Sequence, residues 1–330
     1  MPPTARSPRT TLIIPAYNEA DRLEAGFSRL LAAAEAGRCD LDELEVIFVD
    51  DGSSDGTAEA AMAIVARLPH GQVIVQPENR GKGAAVARGV VAARSELVVF
   101  TDADMAIDPR QLPSLIKALE IAPVAVGSRA VRGHIDYGSS LRTRAGRIFN
   151  FLVRLLSKVR MRDTQCGWKG ARTEYAKILF HLITIEGFAF DVELLARARL
   201  LGIDVIEVPV SWSDVTGSHV HLATDSVRML FDLLIARLRS TALPGIIGLT
   251  VVDPIDAEAI GAACRGSELE GAPIVTSGSG RRSLLATGVS PEIARRSLEA
   301  LAATIGGSIE TIPIEQIRSA DSIVAALSER

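Results

Sequence analysis

Across the first 130 residues, short apolar runs alternate with stretches of helical periodicity, and most of the runs end in polar side chains. "TLIIPAY", "LEVIFVDDGS", "GQVIVQ", "ELVVFTDAD" and "APVAVGS" have the length and make-up of strands. Between them, "DRLEAGFSRLLAAAEA" places Leu23, Phe27, Leu30 and Leu31 on one helical face. "DGTAEAAMAIVARL" opens with Asp55 as an expected N-cap, and "KGAAVARGVVAARS" and "PRQLPSLIKALE" supply two further helices. Strands joined by one helix each must run parallel with right-handed crossovers, which predicts an α/β, doubly wound, mostly parallel sheet. Ligands of such sheets sit beyond the carboxyl ends of the strands. Polar residues collect at those ends: Asn18 and Glu19, Asp50 and Asp51, Asp102 and Asp104, and Arg129. Two carboxylates at the end of an apolar strand repel each other unless the surface solvates them or a cation lies between them, and the recurrence of acids at several strand ends favours a bound cation.

Composition narrows the function classes. With 48% apolar residues in 330, the chain can build a sizeable core. A net charge of −4 gives no global sign of nucleic-acid binding. Cys39, Cys166 and Cys264 show neither metal-ligand nor disulfide spacing, which fits a cytoplasmic setting. The opening "MPPTARSPRTTLIIP" lacks a leader-like apolar core, and no apolar run approaches the roughly 18 residues of a spanning helix. "NRGKGAAVARG" resembles a nucleotide loop superficially, but Lys82 is followed by Gly83 rather than Ser or Thr, and Val86 stands where a dinucleotide fingerprint needs glycine. What remains is a basic turn before a helix, which suits an anion.

Taken in order, "IIPAYNEADRL", "VIFVDDGSSDGT", "NRGKGAAVARG" and "FTDADM" resemble the inverting family-2 glycosyltransferases of the GT-A fold. "GSR", "RDTQCGWKGAR", "GFAFDVELL" and "VPVSWSDVTGS" narrow the resemblance to polyprenyl-phosphate hexose synthases, most like the dolichyl-phosphate β-glucosyltransferases. It covers roughly residues 10–240. It implies a UDP-glucose donor, a polyprenyl phosphate acceptor and Mg²⁺ or Mn²⁺ as cofactor. By position, Pro15, Ala16, Tyr17 and Glu19 would cradle base and ribose, with Asp50 and Asp51 meeting them. Lys82 would lie near the nucleotide. Asp102 and Asp104 would form the metal-binding pair, Asp104 as the direct ligand. Asp163 and Gln165 would face the donor sugar or diphosphate. Arg129, with Arg142 or Arg144, would clamp the acceptor phosphate. Ala106 departs from the mannose branch, which carries a metal-binding Gln there.

A phosphate acceptor is already ionised near neutral pH, so it calls for cations more than for a base. From Arg129 to Arg172 there are eleven Lys and Arg against only Asp136 and Asp163, a local net charge of +9. Residues near 141–161 and 224–240 read as amphipathic helices that either lie on a membrane surface or pack into the core. Attachment at the cytoplasmic face would then be peripheral or through a partner. Trp168 reads either as a stacking platform or as core, and Asp191 either as a helix cap or as a base-like catalytic residue, with Glu193 a second choice. GDP-mannose as donor, a soluble acceptor, and sugar-nucleotide binding without catalysis stay open as alternatives. Residues 241–330 read as a small accessory α/β lobe behind a connector, "ALPGIIGLTVVDP", suited to packing or oligomer formation. Its Gly/Ser-rich turn with two arginines could instead hold a regulatory anion.

Overall fold

A computed structural model describes residues 7–129, 161–212, 246–251, 274–276, 282–286 and 308–312, with Cys264, Glu299 and Leu301. The apolar runs form β1 (Thr10–Ala16), β2 (Leu44–Asp50), β3 (Gly71–Val75), β4 (Leu97–Phe100) and β5 (Val124–Ser128). Between them lie α1 (Ala20–Glu35), α2 (Thr57–Val65), α3 (Lys82–Ala92) and α4 (Leu112–Ile121), the last preceded by a 3₁₀ turn at Pro109–Gln111. Then follow β6 (Lys169–Arg172), α5 (Thr173–Leu182), α6 (Phe190–Leu200) and β7 (Val205–Pro209).

These strands make one seven-stranded sheet in the order β3-β2-β1-β4-β6-β5-β7. β1 is parallel to both β2 and β4, with Ile13 opposite Ile47 and Phe100. Helices cover both faces, so β1 is buried from end to end, as a doubly wound sheet requires. Leu12 and Ile14 share an apolar cluster with Phe27 and Leu30 of α1, Ile64 of α2 and Leu115 of α4. Ile13 points the other way, toward α3, where a Cβ on Gly89 would come within 2.4 Å of its Cγ2.

One strand is added and two local readings are corrected. β6 lies antiparallel between β4 and β5. Asp55 is not the N-cap of α2: Gly56 holds that position at φ 87°. Asp55 accepts instead from Thr57 N (3.1 Å) and Ala20 N (3.2 Å), so one carboxylate serves the starts of two helices. The expected connector at "ALPGIIGLTVVDP" contains a strand, β8 (Ile246–Val251).

The chain divides into two compact units; all seven strands above fall in the first, while Glu174–Ile183 and Arg197–Ile203, from the last two helices and the turns after them, fall in the second. The second unit also takes the chain from Arg239 onward. It holds β8, β9 (Ile274–Thr276), β10 (Arg282–Ala286) and β11 (Ser308–Ile312), antiparallel throughout in the order β11-β8-β10-β9. β8 is thus an interior strand.

Candidate active site

The carboxyl ends of β1, β2, β4 and β5 carry the polar residues, and each strand end is organised differently. After β1, Asn18 adopts φ 52°, an uncommon left-handed conformation for a non-glycine residue. Its side chain accepts from Ser54 N at 3.0 Å and its backbone N–H donates to Ser53 Oγ at 2.9 Å, so this turn is locked to the loop after β2. Pro15 and Ala16 are buried within β1, whereas Tyr17 is 46% exposed at the strand end.

After β2, Asp50 and Asp51 are both buried. Asp50 accepts from Ser53 N at 3.3 Å. Asp51 Oδ1 accepts from Gln76 Nε2 (2.6 Å) and Arg80 N (2.9 Å), and Oδ2 accepts from Gly81 N (2.7 Å). Burial pushes the Asp51 pKa up; the hydrogen bonds offset this only in part. Asp51, expected at the base and ribose, spends both oxygens on shaping the basic turn. Gly81 is needed there, since it sits at φ 108° and a Cβ would come within 2.6 Å of Glu186 O. Arg80 pairs with Glu186 across the same junction.

After β4, each carboxylate has a cation. Asp102 Oδ1 pairs with Lys82 Nζ at the start of α3. Asp104 Oδ2 accepts from Arg22 at 2.7 Å, and Oδ1 accepts from Ala106 N at 3.0 Å. Arg22 also binds Glu19 at 2.9 Å. These groups keep some access to solvent, 45% for the Asp102 side chain and 20% for Asp104. Burial drives the Asp102 carboxyl up, but the Lys82 charge beside it prevails, aided by Lys169 and Arg129, and holds the pKa below the ordinary carboxylate range. Desolvation lowers the pKa of Lys82, but Asp102 above all, then Asp191 and Asp104, raise it overall. A Cβ on Gly167 would lie 2.1 Å from Asp102 Oδ2, so only glycine leaves room for this carboxylate.

The remaining two pairs are more enclosed. Arg129 grips Asp163 in a fork: Nε and the backbone N–H donate to Oδ2 at 2.7 and 3.1 Å, and an Nη donates to Oδ1 at 3.0 Å. Burial raises the Asp163 pKa, and this fork more than reverses it. Asp163 and Arg129, expected at donor sugar and acceptor phosphate, are therefore joined to each other, while Gln165 nearby is half-buried. Lys169, fully buried on β6, donates to Asp191 Oδ1 at 2.6 Å and to Cys166 O. Asp191 is therefore engaged by a buried lysine and does not stand open as a base. Glu193 accepts from the backbone N–H groups of Thr184 and Ile185, both at 2.9 Å, and so holds the turn before α6. Trp168 is core, with no exposed surface. Cys166 is buried too, its thiol pushed up to about 11 by desolvation and then by Asp163. Arg142, Arg144 and the two amphipathic stretches lie outside the described residues.

Arg22, Lys169, Gln76 and Gly167 were not singled out from sequence. Arg22 left one signal: it lies three residues after Glu19 in the first turn of a helix, where a cation opposes the helix dipole.

Residues 11–180 match the model of the family described as "Glycosyl transferase family 2". The chain belongs to glycosyl transferase family 2. This family-2 enzyme is 37% identical over 243 residues to a mouse (Mus musculus) protein named dolichyl-phosphate beta-glucosyltransferase, covering 69% of this chain and 75% of that one. It is 32% identical over 258 residues to the protein of that name from Saccharomyces cerevisiae, covering 69% and 74%. Among solved structures, it resembles the mannosyltransferase PcManGT from Pyrobaculum calidifontis, in complex with GDP-Man and Mn2+. The TM-score is 0.51 at 22% identity, covering 72% of this chain and 66% of that chain, just under two thirds. Glucosyl-3-phosphoglycerate synthase from Mycobacterium tuberculosis, in complex with Mn2+, UDP and phosphoglyceric acid, matches with TM-score 0.50 at 20% identity, covering 73% and 83%. At these identities the two structures show the fold: the seven-stranded unit of this family-2 glycosyltransferase is a GT-A fold.

Could the site take a divalent ion? Among the described residues no group of three or more His, Cys, Asp or Glu is arranged to hold a metal ion. Asp102 and Asp104 are two hard oxygen donors with solvent access, and the position that carries Gln in the mannose branch is Ala106. This set fits an ion that takes the rest of its coordination from diphosphate and water.

Proposed function

We propose that this protein transfers glucose from UDP-glucose to a polyprenyl phosphate of the dolichyl type, with inversion, giving a β-linked polyprenyl-phosphate glucose. The named relatives support both the donor sugar and the acceptor class. The observation in this structure that carries the acceptor is the Lys169–Asp191 pair, with no exposed surface on Lys169. Had the acceptor been a sugar hydroxyl, Asp191 would have been the expected base. Tied to a buried lysine, it is poorly placed to receive a proton. A phosphate acceptor needs no such group, because its nucleophilic oxygen already carries charge.

In this reading Asp102 and Asp104 hold Mg²⁺ or Mn²⁺, which supplies neutralising charge to the departing nucleoside diphosphate. Lys82, the first residue of α3, reaches Asp102 and lies within reach of the same phosphates, and the turn held by Asp51 keeps it there. Tyr17, Glu19 and Asp50 border the donor's base and ribose. Arg129, oriented by Asp163, faces the acceptor phosphate together with Arg142 and Arg144. The positive stretch 129–172 favours an anionic membrane surface, with attachment from the cytoplasmic side. Among the described residues no helix is long and apolar enough to cross a membrane.

The test offers purified protein a short polyprenyl phosphate, Mg²⁺ or Mn²⁺, and either labelled UDP-glucose or labelled GDP-mannose, and counts label extracted into organic solvent. The reading expects lipid-borne label from UDP-glucose, lost on chelation of the metal and in Asp104→Ala. Label from GDP-mannose alone would overturn the donor. Hydrolysis of UDP-glucose with no lipid-borne label would overturn the acceptor.

A further inference from the structure

Arg22 has no part in the scheme above, yet it links Glu19, after β1, to Asp104, which lies 82 residues beyond Arg22 in sequence. One Nη donates to Asp104 Oδ2 at 2.7 Å and the other to Glu19 Oε1 at 3.0 Å. The three side chains are enclosed to nearly the same degree, 18% exposed for Arg22, 19% for Glu19 and 20% for Asp104. The arginine is poorly placed for its own helix, because a cation in the first turn of α1 faces the positive end of the dipole. It is not fully satisfied either: its Nε is buried with no hydrogen-bond partner. A side chain held under these conditions is explained by what it does to Asp104.

We infer that Arg22 is a positioning residue that makes divalent-metal binding depend on the nucleotide. The inference rests on the reading of Asp104 as a metal ligand. With Arg22 on Oδ2 and Ala106 N on Oδ1, both oxygens of Asp104 are already engaged. The carboxylate is oriented, but its charge is largely answered by the guanidinium. Lys82 does the same for Asp102. A dication approaching the empty-handed protein meets three acids, Glu19, Asp102 and Asp104, with the fixed cations Arg22 and Lys82 among them, so the local field is much weaker than the acids alone would give. A nucleoside diphosphate brings two or three further negative charges, which restore the attraction and supply the missing ligands. The consequence is an ordered site, in which the metal arrives with or after the nucleotide and is not retained once the diphosphate leaves.

The experiment measures Mn²⁺ binding by electron paramagnetic resonance, with and without UDP, for the intact protein, Arg22→Gln, Arg22→Lys and Asp104→Ala. Thermal melting of each variant confirms that it is folded. For the intact protein the inference expects Mn²⁺ to bind at least tenfold more tightly with UDP than without. In Arg22→Gln, binding without UDP should tighten several-fold and the ratio should shrink toward unity. Arg22→Lys should keep much of the ratio, because it keeps the charge. An Arg22→Gln variant that is folded but binds Mn²⁺ without UDP as weakly as the intact protein, or more weakly, overturns the inference. If Asp104→Ala binds Mn²⁺ with UDP as well as the intact protein does, the metal reading itself fails, and the inference fails with it for that separate reason.

Discussion

The first unit contains two kinds of ion pair at the same sheet edge. Lys82–Asp102 and Arg22–Asp104 keep contact with solvent, whereas Lys169–Asp191 has side chains only 0% and 6% exposed. Arg129–Asp163 falls between, with a 24% exposed arginine on a 4% exposed acid. Residue type does not separate the two kinds; enclosure does. A pair open to solvent can exchange its partner for a ligand at modest cost, because neither charge has been fully desolvated. A closed pair cannot be opened without leaving a bare charge in the interior. The open pairs are therefore read as the working site, and the closed pair as the frame that holds β6 and α6.

The largest expected departure comes from breaking the closed pair. Lys169→Met should leave Asp191 buried and uncompensated, at a cost of about 3–5 kcal/mol. It should show as a strongly lowered melting temperature, and Lys169→Met combined with Asp191→Leu should recover part of the loss. On the open side, Asp104→Ala should melt close to the intact protein and lose about 10²–10³-fold in turnover, the usual scale for removing one group that stabilises developing charge. Gly167→Ala should come next. Its Cβ would displace the Asp102 carboxylate, and a shift of about 1 Å at such a group costs on the order of 10²-fold in rate. A structure of that variant would show whether Asp102 is what moved.

A smaller effect sharpens the intermediate pair. Arg129 holds the Asp163 pKa below its ordinary value, so the stability this provides is complete above the unfolded value of about 3.9 and is lost as pH falls through the folded one. Melting between pH 5 and 3 should fall less steeply in Arg129→Met than in the intact protein. The smallest concerns the thiols. Burial and then Asp40 push Cys39 up to about 11, and Cys166 matches it, so both should alkylate slowly at pH 8 and faster as pH approaches 11 under folded conditions.

The half of the sheet built from β1 to β4 was legible because those strands are apolar runs bounded by turns and helical periodicity, buried in β1, β2 and β4 and more exposed in the edge strand β3. β6 was not, because "KGAR" has two charges and a glycine among four residues, and the burial of Lys169 becomes reasonable only when Asp191 is placed 2.6 Å away. β8 was mistaken for a connector, since Pro244 and Pro254 bracket it and its neighbours in the sheet are distant in sequence. The acids at the strand ends could be read one by one from their positions. Their partners could not: Arg22 meets Asp104 and Lys169 meets Asp191 only through tertiary placement, which no local spacing encodes.

The division between working and framing pairs is tested most directly by Lys82→Met, assayed for melting temperature and for transfer of labelled glucose from UDP-glucose to polyprenyl phosphate. With Asp102 left partly solvated, melting should stay within the change expected for an exposed pair, under about 1 kcal/mol. Transfer should fall by two orders of magnitude or more. A variant that melts as far below the intact protein as Lys169→Met does, or one that transfers glucose at the intact rate, would contradict the account.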